Sequence, residues 1–133
     1  MMRRPESLVE VAERRATRPG EPLWKPLGEF LDTFYEMPQG RTARLADEPV
    51  APIAREEAAY LAAVADHLSL TYRLPHPLWT EKPQHFLDTA WWPENRGRAF
   101  EAICLAESPT AFRRRFIFTE AQPLRRKGGP VLR

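Results

Sequence analysis

Three histidines, one cysteine and a run of three arginines are the residues of this 133-residue chain with the most chemical potential. No pair among His67, His76 and His85 has the i, i+4 spacing of a helical zinc site, and HExxH is absent. His67 adjoins the core face of a helix beside Asp66, where a histidine is expected to be hydrogen-bonded at the rim. His85 approaches Asp88 only by local proximity. Cys104 falls on an apolar helix face with no activating base beside it, so it reads as a small buried hydrophobe. The adjacent pairs Glu56–Glu57 and Asp47–Glu48 do not share one face as general acid–base work requires. Six dispersed glycines make no phosphate-cradling loop. The expectation is a chain with no catalytic residues, no cofactor and no metal site, and an enzyme is the weaker class.

The arginines are more informative. Arg113, Arg114 and Arg115 fan over most of a helix circumference, so they cannot all face one phosphate backbone. They interrupt an aromatic series, Phe112, Phe116 and Phe118, and Arg125, Arg126 and Lys127 follow. Long guanidinium side chains among aromatics can snorkel or pair with acidic groups of the body. Non-specific attraction to phosphates through this basic segment is the alternative. A helix-turn-helix needs several helices in close succession, and residues 1–18 supply one before a proline break.

Five helices are expected to position these groups. Ser7 caps the first, over Ser7–Thr17, with Glu10 as its reciprocal partner and Leu8, Val11 and Ala12 as its apolar face. Pro26 opens the second, to Met37, where Leu27, Phe30, Leu31 and Phe34 repeat at helical spacing. Arg41–Glu48 has the pattern of a short helix around Leu45. The clearest helix is Arg55–Thr71, with Tyr60, Leu61, Val64, Leu68 and Tyr72 on one broad face and alanines that favour close approach. A fourth runs over Asn95–Ala106 with Phe100, Ile103 and Cys104 inward, and Ser108-Pro109 starts a fifth short one to Arg114. No alternation of period two persists, so the fold class is all-α: a compact irregular bundle of about five short helices.

Between the third and fourth helices, residues 73–94 hold Pro75, Pro77, Pro83 and Pro93 among Leu74, Leu78, Trp79, Phe86, Leu87, Trp91 and Trp92. Proline removes ladder donors, which disfavours a strand. The segment reads as an irregular packed connection with a short helix near Gln84–Asp88. A loop this apolar is either a core plug or a binding surface. If it binds a partner, Trp79, Phe86, Trp91 and Trp92 are its expected anchors, with Arg113, Arg114 and Arg115 supplying paired contacts to acidic groups. Tyr60, Tyr72 and the tryptophans would line any small-ligand pocket between helices.

Composition sets the outer bounds. Fourteen prolines are about twice the roughly 5% of a globular chain. No run of 18 apolar residues is present, and acidic residues fall where a signal peptide needs its apolar stretch. One cysteine excludes an internal disulfide, and a cytoplasmic location is the expectation. The net charge of +2 hides a partition: residues 1–18 carry +2, residues 19–111 carry −6 and residues 112–133 carry +6. The expected organisation is an N-terminal helix or arm (1–20), one helical domain (21–122) and a basic flexible tail (123–133).

Three strings, EFLDTFY at 29–35, AAYLAAVADHLSLTYRLPHPLWTEKP at 58–83 and ESPTAFRRRFIF at 107–118, together resemble a small helical domain of actinobacterial-type proteins. In many of these the domain follows an N-terminal helix-turn-helix, and some look like the antitoxin half of toxin–antitoxin pairs. The resemblance spans roughly residues 24–120, and the helix-turn-helix is missing from this chain. It implies a module that binds another protein, such as a toxin enzyme or a separate DNA-binding chain, and names no catalytic residue. The sequence therefore points to a non-enzymatic protein-interaction module, with antitoxin-like neutralisation as its concrete form and homodimerisation as a further option. The alternatives are a nucleic-acid accessory protein using the basic C-terminal segment, including Arg125 and Arg126, and a small-ligand-binding domain.

Overall fold

The computed structural model describes residues 3–126 and is all-α. Its helices are α1 (Leu8–Thr17), α2 (Trp24–Glu36), α3 (Arg41–Ala46), α4 (Arg55–Thr71), α5 (Arg98–Glu107) and α6 (Thr110–Arg113), with two 3-10 turns, Leu78–Glu81 and Pro83–His85, between α4 and α5. An isolated parallel bridge joins Trp91 to Ile117. Among the described residues no helix is long and apolar enough to cross a membrane.

α4 is the centre because its alanines let neighbours approach from every side. Ala59, Leu61, Ala62, Ala63, Val64, Ala65 and Leu68 are all out of contact with water. α1, α3, α6 and both 3-10 turns pack on α4, and α1 also packs on α2. Phe30, Phe34, Phe112, Ile117 and Leu124 complete the core.

The N-terminal arm belongs to this core. Leu8, Val11 and Ala12 are buried, Arg14 binds Glu21 (2.8 Å) and Glu29 (2.8 Å), and Arg15 binds Glu57 (3.0 Å). Ser7 Oγ accepts the Glu10 N–H at 3.3 Å, while the Glu10 carboxylate takes the N–H of Glu6 rather than that of Ser7. α4 ends in a Schellman arrangement, with the Leu74 N–H on the Ser69 carbonyl and Arg73 at φ 57.

Several expectations need correcting, among them the Ser108 cap, since Ser108 Oγ accepts the Thr119 N–H and does not cap α6. The approach of His85 to Asp88 is another, since His85 pairs with Glu48 and Asp88 with Arg55. The helix expected from Asn95 begins at Arg98, because Gly97 sits at φ 90 and breaks the backbone there. Ile103, expected inward on that helix, is 47% exposed. The turn of helix expected near Gln84–Asp88 is replaced by the two 3-10 turns, which carry the chain past Pro77 and Pro83. The tail expected to be free from 123 is tied down through residue 126. Leu124 is buried, its carbonyl accepts the Tyr35 hydroxyl at 2.8 Å, and Arg126 binds Asp32 at 2.9 Å. Residues 127–133 of that expected tail lie outside the described residues.

Candidate functional site

Two places gather the polar and aromatic side chains. The first joins α4 to the proline-rich connection and α6. Asp66, on the buried side of α4, accepts from Arg115 Nη1 (2.8 Å) and Arg114 Nη1 (3.2 Å). Arg114 also forks onto both Glu81 oxygens, at 3.0 and 2.6 Å. Arg115 is wholly buried and donates further to the carbonyls of Ala111 (2.7 Å) and Thr80 (2.8 Å). Phe86 lies beneath both guanidinium groups, 4.6 Å from that of Arg115 and 5.3 Å from that of Arg114. His76 Nε2 sits 2.9 Å from Glu81, and its Nδ1 is 3.6 Å from Asp66.

Two reactive readings of this cluster fail on its own geometry. Asp66, His76 and Glu81 bring potential ligand atoms within 4.8 Å of one another. Their carboxylates already carry two guanidinium groups, whose charges oppose a metal ion at the same oxygens. Thr80, His76 and Asp66 trace the order of a nucleophile, base and orienting acid. Thr80 Oγ1, however, donates to the Pro77 carbonyl at 2.8 Å and lies 3.4 Å from His76. Thr80 is also fully buried, with no room for a substrate. The cluster is a clamp. The guanidinium of Arg114 beside Glu81 holds that carboxyl below the usual range, and burial pulls Arg115 below the ordinary arginine value.

The second place is open to solvent. A cleft of about 270 Å³ lies between Trp24, Tyr60, Pro93, Glu94 and Pro123. A recess of about 50 Å³ shares Tyr60, Pro93, Glu94 and Pro123 with it and adds Phe100, Phe118, Thr119 and Glu120. Tyr60 is its aromatic centre, edge-on to Trp24 at 5.0 Å and to Phe112 at 5.2 Å. Burial raises the Tyr60 hydroxyl above its ordinary value, and Glu94 and Glu120 push the same way. The nearby Cys104 thiol is raised by burial and then by Glu120, Glu94 and Glu107. Glu94 and Glu120 thus act on both groups, with Arg96 opposing them at Cys104.

α5 forms the adjoining surface. Cys104 is its one buried residue. Ala99, Ala102, Ile103, Leu105 and Ala106 face solvent, with Ile103 and Leu105 at 47% and 46% exposure. The helix lacks the close packing that joins α4 to α1, α3 and α6.

The anchors expected from sequence are largely internal. Trp79 is buried and donates its indole N–H to the Leu45 carbonyl at 3.0 Å. Arg113 binds the carbonyls of Leu105, Ala106 and Ser108 at the end of α5. Trp91 packs beside Tyr60 at 6.3 Å and Trp92 against Phe118 at 5.3 Å, so both support the cleft from behind. Tyr72 meets Phe34 edge-on under Arg41 and does not line the cleft. Arg125 is exposed. The expectation that Tyr60 and the tryptophans line a pocket named Tyr60 and Trp24 of this cleft, whereas Glu94 and Glu120 were not singled out and Phe100 and Phe118 were named only for their apolar series, because these walls converge from distant segments.

Neither a family model, nor a curated protein, nor a solved structure matches the chain.

Proposed function

We propose that this chain is a non-enzymatic protein-interaction module that docks a basic partner across the outward face of α5 and the cleft beside it. The observation that carries this reading is α5 itself: a ten-residue helix that leaves Ala99, Ala102, Ile103 and Ala106 together on its solvent side, with Leu105 half exposed on the opposite flank of the buried Cys104. At a rise of about 1.5 Å per residue the helix alone is too short for a standard interface of roughly 1,600 Å². The adjoining cleft supplies further area. Glu94, Glu101, Glu107 and Glu120 border this surface, against Arg96, Arg98 and Arg113, and residues 19–111 carry a net −6. Complementary charge selects partners and speeds encounter.

Antitoxin-like neutralisation of an enzyme is the concrete form of the proposal. Enzymes that handle nucleic acid present strongly basic surfaces, the complement of this one. Against the nucleic-acid alternative stands the engagement of Arg113, Arg114, Arg115 and Arg126 with the chain's own carbonyls or carboxylates, while Arg125 is exposed and residues 127–133 lie outside the described residues.

The test compares tagged wild type with the Ile103→Glu/Leu105→Glu variant, purified from the native cell. Both positions are exposed, so the variant should keep its fold and circular dichroism. One basic chain retained stoichiometrically by wild type and lost from the variant is the expected result. Equal retention by both proteins, or a reproducibly solitary wild type, overturns the proposal.

A further inference from the structure

The geometry points to the Trp24–Tyr60 cleft as a binding site for an organic ammonium group, which the docking partner supplies as a lysine side chain. This deepens the interaction reading above and rests on it for the identity of the occupant.

Aromatic walls, acidic rim and size support the assignment together. Trp24, Tyr60, Phe100 and Phe118 line the joined cleft and recess. Aromatic rings attract a cation within about 6 Å of their centroids, and tryptophan does so best. Glu94 and Glu120 stand at the same walls and add coulombic attraction that an apolar group would not exploit. The main cleft, at about 270 Å³, falls just below the roughly 300–1,000 Å³ of small-molecule sites. It suits one side-chain head group better than a cofactor.

The chain itself already places a cation at this rim. Arg96 lies 4.8 Å over the Phe100 ring and pairs with Glu94 at 2.6 Å. Both members of that pair are more than half exposed, at 61% and 53%, so water screens the contact and a second cation can displace it. Arg96 thus acts as an internal competitor for the carboxylate.

Access also matches the proposed occupant. Phe100 belongs to the first turns of α5 and walls the recess. Ile103 stands one turn on from Phe100, so a partner lying along Ala99, Ile103 and Ala106 passes beside the opening and can reach it with one long, flexible side chain. Lysine's compact ammonium on a four-carbon stem fits such a recess, whereas a planar guanidinium fork favours bidentate carboxylate contacts.

The probes are N-acetyl-lysine-methylamide and its Nε-acetylated, neutral counterpart, titrated into the full chain and followed by the Trp24 indole N–H resonance. The charged probe should give a saturable millimolar shift, and the neutral probe should give none. Glu94→Gln/Glu120→Gln, at two exposed positions, should weaken binding about three- to tenfold. Arg96→Gln should strengthen it about two- to fivefold by freeing Glu94. Ile103→Ser/Leu105→Ser, which adds no charge beside the opening, should leave this titration unchanged. Equal binding of both probes, no saturable shift, or indifference to the carboxylate variant overturns the assignment.

The two readings fail separately. A partner lost from the α5 variant but held undiminished by Glu94→Gln/Glu120→Gln removes the ammonium site and leaves the docking face. A charge-selective cleft in a chain that retains no partner removes the docking face and leaves the site.

Discussion

Arg115 Nη1 donates to Asp66 Oδ2 at 2.8 Å with both side chains shut away from water, joining the turn that follows α6 to the C-terminal half of α4. A buried pair of this kind contributes little beyond an apolar pair of the same volume, but removing one member strands the other charge. Arg115 has two further carbonyl acceptors, on Ala111 and Thr80, so its loss also unties the proline-rich connection. Asp66→Asn and Arg115→Met should each cost about 3–5 kcal/mol of stability. The double variant should cost clearly less than the sum, a coupling readable by urea unfolding. Additive losses would mean that the two residues act independently.

Acid should destabilise the protein in two stages. Burial holds His67 below its ordinary value, with Asp66 partly opposing. The unfolded chain then takes up a proton that the folded chain resists, and stability falls as pH drops through about 6.5. Side-chain hydrogen bonds from Arg14, Lys82 and Arg114 hold Glu29, Glu48 and Glu81 below the usual carboxylate range. Their contribution is complete above the unfolded carboxylate value of about 4.3 and disappears as pH falls through the lower folded values. Thermal midpoints between pH 7.5 and 5.5 should fall for wild type, and His67→Gln should flatten that limb. A wild type flat down to pH 5 refutes the His67 assignment.

The secondary structure was legible wherever apolar spacing and capping agreed. Leu27, Phe30, Leu31 and Phe34 marked α2, and the alanine-rich run gave α4 with both ends correct. Ile103 was misplaced because periodicity identifies an apolar face but not whether anything covers it. Trp79 could be plug or anchor from sequence alone. Its indole N–H reaching the Leu45 carbonyl is a long-range fact, 34 residues away. The clamp was half visible: the arginines were expected to pair with the acidic body, yet which carboxylates receive them depends on how α6 crosses α4. The cleft was least visible as a whole, since its walls come from α2, α4, α5 and two segments outside the helices, 93–94 and 118–123.

Arg73 occupies a left-handed position, φ 57, at the end of α4, where glycine is the usual residue. Its side chain is exposed. A non-glycine residue costs about 1–2 kcal/mol in this conformation, and the extra freedom of an unfolded glycine returns about 0.4–1 kcal/mol of that. Arg73→Gly should therefore stabilise the protein by about 0.5–1 kcal/mol, raising Tm by a few degrees. A lower Tm would show that Arg73 contributes contacts beyond its backbone geometry.

Gly28 gives the sharpest test of how the C-terminal segment is fastened. A methyl group there would meet Arg126 Nη1 at 2.5 Å and Cζ at 2.7 Å, so the guanidinium must move off the helix. In a helix interior alanine is better than glycine by about 0.8–1 kcal/mol. Against this stands the Arg126–Asp32 pair, about a third exposed on each side, which contributes about 0.2–1 kcal/mol. The two nearly cancel, so global stability of Gly28→Ala should stay within about 0.5 kcal/mol of wild type. Local fastening should not. Besides the local Arg125 N–H to Gln122 carbonyl bond, the Tyr35 hydroxyl on the Leu124 carbonyl is then the remaining polar tie that fastens residues 124–126 to a helix. Removing it in Gly28→Ala/Tyr35→Phe leaves a buried carbonyl unpaired, at about 1–3 kcal/mol. Limited proteolysis should cut near Arg125 slowly in wild type, faster in Gly28→Ala and fastest in the double variant. If Gly28→Ala is cut no faster than wild type, Arg126 does not hold this segment, and Leu124 burial with the Tyr35 bond is enough.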